Sequence, residues 1–63
     1  TVVSFFAVGG PATGVTTQGL RYPLAQDRLE LGVRDSISNV VEARPATVAV
    51  EQGRLLFFIV TDP

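Results

Sequence analysis

Hydrophobic positions along this chain either alternate with polar ones or run unbroken for several residues, and both patterns belong to strands. Residues 1–8 set Val3, Phe5 and Ala7 against Val2, Phe6 and Val8, with Ser4 the one polar interruption. Val and Phe favour a pleated, packed surface, so this segment predicts a strand covered on both faces. Gly9-Gly10-Pro11 ends it, and residues 9–14 read as a loop, since Gly supplies positive φ and Pro fixes a dihedral. Residues 15–17 and 20–22 are two short strand candidates, broken at Gly19 and closed by Pro23.

The second half repeats the signal. Residues 28–33 place Leu29, Leu31 and Val33 opposite Arg28, Glu30 and Gly32, the pattern of a half-buried strand. A helix opening near Pro23 is the rival, and Gly32 and the period of two argue against it. After a turn at Arg34-Asp35-Ser36, residues 37–43 put Ile37, Val41 and Ala43 on one face with Asn39 among them. A short helix at 36–44, capped by Asp35 or Ser36, would instead align Ile37, Val40, Val41 and Arg44. Pro45 ends that element. Residues 47–51 alternate again, Gln52-Gly53 follows, and 54–61 form an apolar run through Leu55, Leu56, Phe57, Phe58, Ile59 and Val60. This predicts a C-terminal hairpin, 47–51/54–61. The expected fold is one small all-β domain over residues 1–63, a barrel or two-layer sandwich of five to six short strands. A helix at 36–44 would make it α+β.

Composition narrows how such a fold holds together. With 63 residues and neither Cys nor His, disulfides and the common zinc sites are excluded, which leaves oligomerisation or docking as the support small domains need. Only 17% of residues are charged and 46% are hydrophobic, against about 25% charged in an average domain, so the surface is expected to be apolar. A net charge of −1 gathers no phosphates, and nucleic acid is not an expected partner. All the basic side chains are arginines (Arg21, Arg28, Arg34, Arg44 and Arg54). That suits an interface, although a GC-rich genome would give the same bias. The apolar runs at 2–8 and 55–60 fall far short of the roughly 20 residues of a spanning helix, so no membrane role is expected. There is no basic n-region of a signal peptide, and the Thr start fits either a processed initiator or a fragment.

Candidate chemistry is sparse. His, Cys and Lys are absent, leaving Asp27, Glu30, Asp35, Glu42, Glu51 and Asp62 as the only bases, all in or beside turns or on polar strand faces. Asp27, Glu30 and Asp35 lack the alternation of a calcium loop. Residues 9–14 match G-x-x-x-x-G, but Val15 and Thr16 stand where Lys and Ser/Thr belong, so a phosphate cradle is not expected. No catalytic residue, cofactor or metal is expected. Five aromatics remain, and adjacent pairs such as Phe57 and Phe58 face opposite ways along a strand, so one of each pair must be covered by something other than this domain's core.

Uncovered, the six-residue apolar run would invite edge pairing. The expected role is therefore a non-enzymatic structural or assembly subunit, with a protein partner or a homo-oligomer covering Phe5, Phe6, Arg21, Tyr22, Leu56, Phe57, Phe58 and Val60. A small accessory or decoration protein of a virus particle fits that description. The alternative is a monomeric SH3-like or OB-like module using the 9–19 loop and Tyr22 to grip a peptide or small ligand. An enzyme subunit whose partner supplies the catalytic groups is a third class.

Overall fold

A computed structural model describes residues 1–61. Its spine is β1 (Val2–Gln18), far longer than the sequence pattern suggests, with β2 (Asp27–Leu29), β3 (Ser36–Val40), β4 (Thr47–Ala49) and β5 (Gln52–Val60) all pairing antiparallel to it. The all-β expectation holds, and the 36–44 segment is strand over its first half rather than helix.

A straight strand of 17 residues would run about 56 Å at the usual rise, yet the molecule's longest axis is 33 Å. The strand must bend, and it bends where the glycines lie. Gly9, Gly10 and Gly14 have φ of 72°, 125° and 65°. Across the bend the β5 partners move from Arg54 to Gln52 while β1 moves from Val8 to Thr13. Residues 9–14 are thus a bulged corner inside a strand rather than a loop between strands, because ladder pairing resumes on the far side.

The C-terminal hairpin does not form. β4 pairs with Thr16, Thr17 and Gln18, and β5 pairs with Thr13 and then with residues 2–8, so 47–60 is one interrupted arm running antiparallel along β1. A two-residue type I′ hairpin needs positive φ at both central positions, and of Gln52 and Gly53 only Gly53 has it, at 109°. Gly53 serves a close approach instead. A Cβ there would stand 2.7 Å from Ala12 Cα and 2.8 Å from the Pro11 carbonyl oxygen, where the β1 corner presses on β5.

The inner face of β1 makes the core: Val3, Phe5, Ala7, Ala12 and Val15, closed by Leu20 and Leu29. The expected strand at 28–33 stops at Leu29, since Glu30 and Arg34 close a tight turn that leaves Leu31 and Val33 in solvent. β3 carries a one-residue bulge: Val3 pairs with Asn39 and Phe5 with Ser36, so Ser4 alone stands opposite Ile37 and Ser38. Ser38 takes φ 54° there, and its N–H donates to Ser4 Oγ at 2.8 Å. The bulge turns both Ser36 and Asn39 inward and Ile37 outward, separating Ile37 from Asn39, which alternation places on one face.

Candidate functional site

The segment 19–26 has no strand of its own; backbone hydrogen bonds from Arg21 to Val40 and from Glu42 to Gly19 tie down its start, and side chains secure the rest. Asn39, 2% exposed, accepts from the Tyr22 N–H through Oδ1 at 3.0 Å and donates from Nδ2 to the Tyr22 carbonyl at 2.8 Å. It also donates to Ser36 Oγ at 3.2 Å, and its Oδ1 accepts from the Val40 N–H. A buried amide with every position filled is a rigid fixture. Thr17 does the same for Leu24, its backbone N–H reaching the Leu24 carbonyl and its Oγ1 accepting the Leu24 N–H, both at 2.9 Å. Thr16 Oγ1 accepts from the Gln26 N–H at 3.1 Å.

Those clamps fix Tyr22 beside a groove of about 250 Å³ whose walls include Pro23, Arg34, Asp35, Ser36 and Asn39. The Tyr22 side chain is left well exposed. The groove therefore combines an accessible aromatic ring, a pinned amide and hydroxyl, and a carboxylate. Arg34 Nη1 is 3.2 Å from Asp27 Oδ1, and Asp35 Oδ2 accepts from the Gly32 N–H at 3.1 Å. A second groove, about 220 Å³, is apolar and lies between Val3, Leu20, Val48, Phe57 and Ile59. Among the described residues no group of three or more carboxylates is placed to hold a metal ion.

The residues expected at an interface separate into three sets. Phe5 is fully buried and belongs to the core, a correction that follows from its inward position on the central strand. Its ring lies 5.3 Å from that of Phe57, which is 40% exposed. Leu56, Phe58 and Val60 are exposed on the opposite face of β5, and Phe6 meets Phe58 edge to face at 5.8 Å. Arg21 and Tyr22 sit apart from these, at the polar groove's end of the molecule. Arg21 Nε donates to Glu42 Oε2 at 2.9 Å, and this hydrogen bond, with the charge of Glu42, holds the guanidinium above its ordinary pKa. Sequence reasoning singled out Tyr22 and passed over Asn39 and Ser36. An Asn placed among apolar residues was the available signal, because a buried amide must find partners.

Residues 1–55 match the family model described as thiamin pyrophosphokinase, vitamin B1 binding domain, and the chain belongs to that family. No curated protein and no solved structure matches it.

Proposed function

We propose that, as a member of this family, the chain is the vitamin-binding module of a thiamin pyrophosphokinase and takes thiamin in the groove beside Tyr22. The observation that carries this reading is the joining of one exposed aromatic ring to a pinned polar wall, Asn39 and Ser36, in a chain whose family is named for binding vitamin B1. Thiamin is a flat aminopyrimidine joined to a cationic thiazolium. An aromatic face attracts such a cation by about 0.5–2 kcal/mol, and Asn39, its own amide fully engaged, fixes the Ser36 hydroxyl whose O–H can meet an acceptor of the aminopyrimidine ring. Of the two sequence expectations, small-ligand binding is supported over a virus-particle role by the family's description.

On this reading the chain's part is to bind the vitamin, the role its family's description names. Ligand sites usually enclose about 300–1,000 Å³, so a groove of about 250 Å³ leaves part of the ligand for another protein surface to cover. The exposed β5 face with Leu56, Phe58 and Val60 favours the same arrangement, a module that works packed against a partner or a second copy.

Tyr22 is the only tyrosine and there is no tryptophan, so its emission reports on the groove directly. Thiamin added to the full chain is expected to quench that emission saturably. By calorimetry, Tyr22→Ala is expected to weaken binding about tenfold, the equivalent of one cation–aromatic contact. A folded protein that shows neither heat nor quenching would remove this reading.

A further inference from the structure

We infer that Asp35 makes this groove selective for a positively charged ligand over a neutral one of similar shape, an inference that rests on the groove being the vitamin site. Arg21 is paired with Glu42 at 2.9 Å, Arg28 with Glu30 at 3.4 Å, and Arg34 with Asp27 at 3.2 Å. Arg34 is the one cation lining the groove, and its guanidinium is engaged by Asp27 rather than by the neighbouring Asp35. Among the described residues no arginine lies within ion-pair distance of Asp35, so its negative charge is left uncompensated at the groove wall.

Hydrogen bonding leads to the same place. One carboxylate oxygen, Oδ2, accepts the Gly32 N–H and so braces the 31–33 turn. The other, Oδ1, is shielded from solvent and has no hydrogen-bond partner. A carboxylate accepts several donors when ionised, and leaving a buried acceptor unmatched is unfavourable. A cation or N–H donor delivered into the groove, met by a small rotation of the side chain, supplies the missing partner. Partial removal of water strengthens that attraction relative to bulk solvent.

The contrast between thiamin and thiochrome, its neutral oxidised tricycle, reads the effect. Both are titrated into the full chain as wild type, Asp35→Asn and Asp35→Glu. Asn retains an oxygen for the Gly32 N–H and removes only the charge. Asp35→Asn is expected to lose about tenfold in thiamin affinity and to hold thiochrome within about twofold, while Asp35→Glu restores most of the difference. Equal losses for both ligands, or no loss for either, would overturn the inference and leave the groove reading in place. If wild-type protein binds neither ligand, the groove reading itself fails and this inference falls with it. A check that needs no substitution is salt: raising ionic strength from about 0.05 to about 0.5 M should weaken thiamin binding several-fold and leave thiochrome unmoved. An identical response from the two ligands counts against Asp35.

Discussion

β1 and β5 are paired residue for residue over Val2–Val8 and Arg54–Val60, are both almost wholly apolar there, and meet opposite fates. Phe5 is 0% exposed and its partner Phe57 is 40% exposed; Val3 is 7% and its partner Ile59 is 62%. Hydropathy does not separate the two strands, but position in the sheet does. In its first half β1 has β3 on one edge and β5 on the other, and Leu20 and Leu29 close over its inner face. Among the described residues β5 pairs with β1 alone. Burial is thus a property of where a strand lies, and a long exposed apolar edge strand is one that natural proteins cover.

The comparison breaks most visibly at the phenylalanines. Phe5→Ala empties a fully buried site and is expected to cost about 3–5 kcal/mol in urea unfolding. Phe58→Ala gives up exposed area and one edge contact with Phe6, about 1 kcal/mol. It should also lower self-association seen by sedimentation, if a second copy covers that face. Similar costs at the two positions would mean that β5 is as buried as β1 in solution.

Asn39→Ala is the next largest effect, about 2–3 kcal/mol, because it strands the Tyr22 N–H and carbonyl without replacing them. Its particular signature is Tyr22 emission moving toward that of the unfolded chain while the protein remains folded by circular dichroism. Emission that stays native would mean the 19–26 segment is held well enough by the Thr16 and Thr17 clamps and the backbone bonds at Gly19 and Arg21. Gly53→Ala sharpens the contact between the β1 corner and β5. Positive φ and a Cβ meeting Ala12 and Pro11 are expected to cost about 1–3 kcal/mol by thermal unfolding. Gly9→Ala has open space around its Cβ and should cost only about 1 kcal/mol, the penalty of a left-handed residue.

The site was partly legible. Tyr22 stood out as the aromatic in a polar setting, and the structure leaves it exposed at the groove. Asp35 and Ser36 were read as turn residues, and nothing in their local pattern announces that a bulge at Ser38 swings Ser36 and Asn39 to the same side. Alternation assumes an unbroken pleat, and one extra residue inverts every later face. Leu31 and Val33 lie in solvent for a different reason. They alternate correctly with Leu29, but a tight turn ends the strand before they can pair.

By itself the sequence determined that most of the chain is strand, because runs of Val, Phe, Ile and Thr with a period of two, punctuated by Gly and Pro, suit a sheet, and it left open only whether 36–44 is strand or helix. It also determined that nucleophilic and general acid–base chemistry by His, Cys or Lys is absent, since those residues are. Only the tertiary structure decided which strand is central, that residues 47–60 lie along β1 instead of folding on themselves, and that Asn39 rather than Ile37 faces inward. The reason is one of range. Backbone preference is set by neighbours in the chain, whereas pairing and burial are settled by competition among distant segments for the same hydrogen-bonding edges and the same apolar face.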